Sequence, residues 1–131
     1  MDELSYNKLS SKIINACIEV HRELGPGLLE SVYEECLTHE LRSRGLYVER
    51  QVEIPVMYKG KETSKTFFMD LLVEDLIVVE LKAVDNLLPI HEVQTVTYMR
   101  LADKKLGLLI NFNVTQMRQG IRRKINGNLN E

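Results

Sequence analysis

Residues 76–84 constrain the fold more than any other segment, because they read Leu-Ile-Val-Val-Glu-Leu-Lys-Ala-Val. A nearly continuous apolar run of this length predicts a central β-strand that is covered on both faces. Glu80 and Lys82 interrupt the run and, being two residues apart, project from the same face. Burying a charge costs several kcal/mol unless it is paired or binds a metal. Taken alone, these two residues favour a structural Glu–Lys pair near the strand end.

Asp70 changes this interpretation because it lies in a second apolar segment, residues 67–73, just before a tight connection at residues 74–75. Asp70 and Glu80 are therefore expected to face each other across a hairpin, where two carboxylates repel. A divalent cation would relieve the repulsion, since Mg²⁺ prefers a few carboxylate oxygens. A strict two-residue loop would place Asp70 opposite Val79, on the wrong face. The hypothesis therefore requires an odd-length connection or a bulge.

Hydrophobic periodicity and turn signals give the order of the remaining elements. Helices are predicted over residues 5–24, 28–44 and 89–102, and strands over 47–58, 66–73, 76–84 and 106–112. A last helix is expected over residues 115–125, and residues 126–131 are expected to fray. The final β-α-β step requires a crossover connection. The order αα-βββ-α-β-α therefore predicts an α/β fold with a mixed four-stranded sheet flanked by helices.

The third predicted helix carries polar residues on its apolar face. The residues expected to face inward are Ile90, Val93, Thr97 and Leu101, with Gln94 and Tyr98 on the same face. An amide in that position needs partners, which are either nearby backbone groups or a substrate phosphate and metal-bound water. His91 lies one position off this face and is interpreted as a solvated or capping group. Asn111, at the end of the fourth strand, is interpreted as structural.

Composition limits the class of protein. A chain of 131 residues with 44% apolar and 27% charged residues is typical of one globular domain. The net charge of −2 counts against a dedicated nucleic-acid binder, although local patches matter more than totals. The one clear basic cluster, interpreted as a solvated helix face, is Arg118, Arg122, Arg123 and Lys124.

Cys17 and Cys36 show no disulfide framework and no zinc-ligand spacing. Both fall on apolar helical stripes, so they are expected to be small buried residues in a reducing compartment. The acidic N-terminus is not followed by an apolar run, and no stretch approaches the length of a membrane span. We therefore expect a cytoplasmic protein with no membrane partner.

Several motifs together resemble a known group of proteins. Asp70 followed by Glu80-Leu81-Lys82 resembles the D…(D/E)xK signature of the PD-(D/E)XK nuclease superfamily. Residues 94–98, Gln-Thr-Val-Thr-Tyr, resemble the QxxxY motif of RecB-like exonucleases. Residues 27–33, Gly-Leu-Leu-Glu-Ser-Val-Tyr, are similar to the motif that names the small bacterial GxxExxY proteins, which also carry strands like residues 79–84 and 107–113. The resemblance covers roughly residues 9–125.

This resemblance implies a restriction-endonuclease-like core forming a single domain over residues 1–131. It implies Mg²⁺ or Mn²⁺ as cofactor, and the implied ligands are Glu30, Asp70, Glu80 and the Leu81 carbonyl. It implies Lys82 as the catalytic lysine and Gln94 and Tyr98 as residues that line the site. The superfamily's proline before the aspartate is replaced here by Met69.

The expected function is metal-dependent hydrolysis of phosphodiester bonds in nucleic acid, with DNA as the favoured substrate. Lys82 beside the ion would orient or activate a water, or stabilise developing phosphate charge. Two alternatives remain open from the sequence: a non-catalytic nucleic-acid-binding module, and a regulatory protein-interaction subunit that retains the fold. A homodimer is compatible with either a nuclease or a regulatory subunit.

Overall fold

The computed structural model describes residues 1–130 and places five strands in one sheet in the order β1-β2-β3-β4-β5. The elements are α1 (Glu3–Leu24), α2 (Glu30–Ser43), β1 (Val48–Tyr58), β2 (Lys61–Val73), β3 (Ile77–Lys82), α3 (Pro89–Leu101), β4 (Leu106–Asn111), a 3₁₀ turn (Met117–Gly120) and β5 (Ile121–Ile125). β3 is parallel to β4, and the other neighbours are antiparallel. The expected mixed α/β, restriction-endonuclease-like fold is confirmed, with β3 at its centre. No helix within residues 1–130 has the length and apolar character needed to cross a membrane.

The C-terminal segment differs from the prediction. Instead of a helix over residues 115–125, the chain forms the 3₁₀ turn and then β5, so the sheet has five strands rather than four. Gly120 permits this path, because a Cβ there would lie 2.1 Å from the Asn111 carbonyl oxygen. The expected fraying is also wrong for residues 126–130: Leu129 is buried, and Asn130 Oδ1 accepts a hydrogen bond from Glu3 N–H. Residue 131 lies outside the described residues.

The central strands β3 and β4 are covered on both faces, as the apolar character of β3 predicts. α1 and α2 pack on one face, where Leu9, Ile13 and Cys17 of α1 join the larger core cluster. α3 packs on the other face, where Met99 contacts a smaller cluster. Cys17 is fully buried as expected, but Cys36 is only partly buried. Because β3 and β4 are buried along almost their whole length, a charged side chain on either strand has few routes to solvent.

The buried face of α3 is not the predicted one. Ile90 and Val93 are more than half exposed, at 53% and 56%, whereas Thr95 and Met99 are buried. Apolar residues occur around the whole circumference of this helix, so periodicity cannot select the inward face. The inward face is instead fixed by the space at Gly107 of β4. A Cβ at residue 107 would lie 2.5 Å from Met99 Sδ, so only glycine lets Met99 pack inward. Gln94 and Tyr98 consequently flank the buried ridge.

The corner between α1 and α2 is fixed by the tyrosine of the GxxExxY segment. The Tyr33 hydroxyl donates to the Gly25 carbonyl at 2.6 Å and accepts from Leu28 N–H at 3.1 Å. Its fully buried ring stacks on Phe112 with centroids 4.5 Å apart. Gly27 has φ +95°, a value that L side chains rarely adopt. This clamped corner makes Glu30 the first residue of α2.

Candidate active site

The register of the β2–β3 hairpin satisfies the parity that the carboxylate hypothesis requires. Leu71 pairs with Val79 and Val73 with Ile77, so the connection has three residues, 74–76. Extending this register by one step places Asp70 opposite Glu80. The two residues therefore lie on the same face of the sheet, where α3 packs.

The pairing of β2 with β3 ends at Leu71 and Val79, and beyond it side-chain carboxylates accept the hydrogen bonds of the backbone N–H groups. Leu81 N–H donates to Asp70 Oδ2 at 2.8 Å, and Asp70 N–H donates to Glu80 Oε1 at 3.1 Å. Glu80 is 6% exposed. Burial, reinforced by the negative charge of Asp70, raises the pKa of Glu80 to about 9. In the absence of a cation, the Glu80 carboxyl therefore retains its proton at neutral pH.

One pocket brings the predicted side chains together. Its lining residues are Glu30, Phe68, Asp70, Glu80, Lys82, His91, Gln94, Thr95 and Tyr98. All five residues predicted as catalytic, and all three predicted carboxylate ligands, are in this set. The Leu81 side chain is buried in the core on the opposite face, so only its backbone lies at the site. The pocket thus assembles residues from α2, β2, β3 and α3.

The charges in this pocket favour a bound cation. The pKa of Glu30 is raised by partial desolvation and by the charge of Asp70, while Lys82 acts in the opposite direction. The pKa of Tyr98 is raised by burial and by the charges of Glu80 and Asp70, so its phenol stays protonated. Three carboxyl groups face one lysine, so a divalent ion bound among them would favour their ionised forms.

The backbone around Lys82 is held by β4. Phe112 N–H donates to the Lys82 carbonyl at 2.9 Å. The buried Asn111 side chain accepts from Val84 N–H at 3.1 Å and donates to the Val84 carbonyl at 2.9 Å. Asn111 therefore has the structural role expected from the sequence. These bonds fix the end of β3, from which the Lys82 side chain projects.

Gln51 is a site residue that the sequence interpretation missed. Its Nε2 donates to Glu34 Oε1 at 2.6 Å and lies 3.3 Å from Asp70 Oδ1. Glu34 in turn accepts from Arg50 at 3.0 Å. Gln51 has φ +49°, an uncommon conformation for a residue other than glycine. Strand alternation carries no signal for this contact, which emerges only once the register opposite Asp70 is known.

His91 was expected to be a solvated or capping group. The capping interpretation is confirmed, because Leu88 N–H donates to His91 Nδ1 at 3.0 Å at the start of α3. The ring also lines the pocket, which the helical face assignment did not predict. The error has the same origin as that for Ile90 and Val93, since both follow from choosing the wrong inward face of α3.

The donor set fits a divalent cation that keeps part of its hydration shell. Within residues 1–130, no group of three His, Cys, Asp or Glu side chains is arranged to hold a metal ion unaided. Mg²⁺, however, is usually held by one or two carboxylates together with waters and substrate phosphates. Asp70 and Glu80 supply such a pair, and Glu30 lies at the exposed rim of the same pocket.

Comparison with known families agrees with this fold. A family model described as the PD-(D/E)XK nuclease superfamily matches residues 7–124, so the chain belongs to that superfamily. Among curated proteins and solved structures, none matches the chain. The finer similarities to the RecB-like QxxxY group and to the GxxExxY proteins stay predictions. Members of the superfamily are generally dependent on divalent metals.

Proposed function

We propose that this protein is a Mg²⁺- or Mn²⁺-dependent nuclease that hydrolyses phosphodiester bonds of nucleic acid, with DNA as its substrate. The observation that carries the proposal is the placement of Asp70 opposite Glu80, with Lys82 in the same pocket. A purely structural ion pair would not require a second carboxylate beside the buried Glu80. Nor would it require an amide and a phenol, from Gln94 and Tyr98, on the opposite wall.

In this proposal Asp70 and Glu80 hold the cation, with Glu30 and the Leu81 carbonyl as further ligands. When bound, a divalent cation polarises a phosphoryl oxygen and neutralises charge that develops during phosphoryl transfer. The raised pKa of Glu80 means that its proton must leave before its carboxylate can act as a ligand. The protein's contribution is therefore to hold two mutually repelling carboxyl groups in place.

The remaining residues act on the water and the phosphate. Hydrolysis joins a water oxygen to phosphorus and breaks one P–O bond. The attacking water loses one proton to solvent, and the departing oxygen takes up one proton. The Lys82 ammonium donates to the attacking water or to a non-bridging phosphate oxygen, where negative charge increases. Gln94 donates its amide N–H, and the protonated Tyr98 hydroxyl donates likewise, to orient the substrate phosphate.

The proposal is tested by incubating the protein with end-labelled DNA and RNA in Mg²⁺, in Mn²⁺ or in EDTA. We expect cleavage of DNA only with metal, and its loss in Lys82→Ala. Lys104→Ala is the matched control, because Lys104 pairs with Asp75 at the other end of β3, 3.1 Å away. Cleavage that persists in Lys82→Ala would contradict the assignment. Binding without any cleavage would instead support the non-catalytic module.

A further inference from the structure

The β1–β2 hairpin extends well beyond the body of the sheet. β3 pairs with β2 only at Leu71–Val73, whereas β1 accompanies β2 as far as the Tyr58–Lys61 pair. Residues 52–69 therefore form a two-stranded projection, here called the hairpin arm. Its length along β2 from Met69 to Lys61 is about 26 Å, at roughly 3.3 Å per residue.

The base of the hairpin arm is fixed against α3, next to the candidate active site. Ile54 and Met69 are buried, at 1% and 2% exposure, in the cluster that contains Met99. The Phe67 ring lies 5.7 Å from the Tyr98 ring, and Phe68 lines the pocket itself. The base of the arm is thus continuous with the site.

Both edges of the hairpin arm are unsuited to adding another strand. On β1, Pro55 has no N–H to donate, and a register shift lies between Pro55 and Met57. On β2, the exposed Lys61 and Lys65 introduce charge along the open edge. Such features are the usual means by which edge strands avoid pairing with other chains. The faces of the arm, rather than its edges, are therefore its available surface.

Those faces expose aromatic rings and uncompensated lysines. Tyr58, Phe67 and Phe68 are exposed at 66%, 45% and 46%. Lys59, Lys61 and Lys65 form no ion pair with any described residue, and Lys59 Nζ lies 5.5 Å from the Tyr58 ring centroid. Glu53 and Glu62 are the two acidic residues of the arm. The arm therefore has a positive balance, whereas the whole chain carries −2.

We propose that the hairpin arm is the docking surface for single-stranded nucleic acid, leading the strand into the candidate active site. This inference rests on the proposed nuclease function and adds the form of its substrate. Exposed aromatic rings offer platforms on which unpaired bases stack, and the adjacent lysines bind the phosphates. Bases inside a duplex are already stacked and paired, so they cannot use these rings without being displaced.

The test measures binding in EDTA, so that it does not depend on cleavage. Fluorescence anisotropy compares a labelled single strand with the corresponding duplex for wild type, Tyr58→Ala and Lys59→Ala, which lie at the arm's tip. We expect wild type to prefer the single strand, and Tyr58→Ala to weaken that binding about 5- to 150-fold. The logarithm of the binding constant falls linearly with the logarithm of the salt concentration. Lys59→Ala should lower the magnitude of this slope for the single strand by about 0.7 for each phosphate that the lysine no longer neutralises.

Matched controls lie outside the arm. Tyr47→Ala removes an exposed ring, at 59% exposure, immediately before β1, and Lys12→Ala removes an exposed lysine of α1. Both should bind the single strand as wild type does. The proposal is overturned if Tyr58→Ala and Lys59→Ala also bind the single strand as wild type does. It is equally overturned if wild type binds neither the single strand nor the duplex, or prefers the duplex. A dimer that gel filtration shows to be disrupted by Tyr58→Ala would overturn it as well, because the arm would then be a protein interface. Metal-dependent cleavage with an unchanged KM in Tyr58→Ala would remove the arm's role while leaving the nuclease proposal intact.

Discussion

Replacement of Glu80 by glutamine should stabilise the metal-free protein at neutral pH. The Glu80 carboxyl is buried beside Asp70, and its pKa is raised from 4.5 to about 9. Between these two pH values the folded state binds one more proton than the unfolded state. Stability contributed by the neutral carboxyl is therefore lost progressively as pH rises from 4.5 towards 9. A glutamine side chain does not ionise in either state, so the Glu80→Gln variant escapes this loss.

The size of the effect follows from the pKa shift. Each pH unit in this window costs about 1.4 kcal/mol, so the loss at about pH 7 is roughly 3 kcal/mol. The glutamine oxygen can still accept the hydrogen bond from Asp70 N–H, which is 3.1 Å from Glu80 Oε1. Most of the difference between the two proteins should therefore arise from ionisation rather than from the removal of a hydrogen bond.

Urea unfolding in EDTA at several values between about pH 5 and about pH 8 measures this difference. The midpoints of wild type and Glu80→Gln should nearly coincide at the acidic end and separate as pH rises, with unchanged m-values. Glu35→Gln, at an exposed position of α2, is the matched control and should follow wild type. Parallel curves for wild type and Glu80→Gln, or a wild type that gains stability relative to the variant with rising pH, would show that ionisation of Glu80 does not destabilise the folded protein.

Three further substitutions test other parts of the account. Gln51→Gly removes the amide that contacts Asp70, and glycine tolerates the φ of +49° at this position. The affinity for Mn²⁺, measured by calorimetry, should therefore fall about 10- to 100-fold without loss of stability. Unchanged affinity would exclude a role for Gln51 in positioning Asp70. Tyr33→Phe loses the hydrogen bonds to Gly25 and Leu28, so the free energy of unfolding measured in urea should fall by roughly 1–3 kcal/mol. Equal stability would show that these hydrogen bonds do not stabilise the corner between α1 and α2. Gly120→Ala places a Cβ 2.1 Å from the Asn111 carbonyl oxygen. It should cost about 3 kcal/mol in thermal unfolding, and an unchanged melting temperature would show that the turn can shift.

The centre of the fold could be predicted because several local signals agree there. The apolar run around Glu80 identifies a strand covered on both faces, and Pro89 marks the start of the crossover helix. The hairpin between β2 and β3 brings Asp70 to Glu80, and the parity condition states which register is needed. These inferences depend on near neighbours in sequence, for which spacing determines direction.

The parts that could not be predicted depend on contacts between distant residues. β5 forms because its residues complete the edge of β4, and short polar segments such as Ile121–Ile125 show little helical or strand preference by themselves. The inward face of α3 is selected by Gly107 of β4, which no periodicity within the helix reveals. The Gln51 contact similarly depends on a local backbone conformation and on the position of Glu34 in α2.

Calorimetric titration of Mn²⁺ into wild type and Asp70→Asn tests most directly the claim that Asp70 and Glu80 form a divalent metal site. Asp70→Asn keeps an oxygen that can accept from Leu81 N–H, so the strand end should remain in place, as circular dichroism can verify. We expect saturable binding by wild type and none, or far weaker binding, by Asp70→Asn. Equal binding by both proteins, or no binding by wild type in the presence of single-stranded DNA, would contradict it.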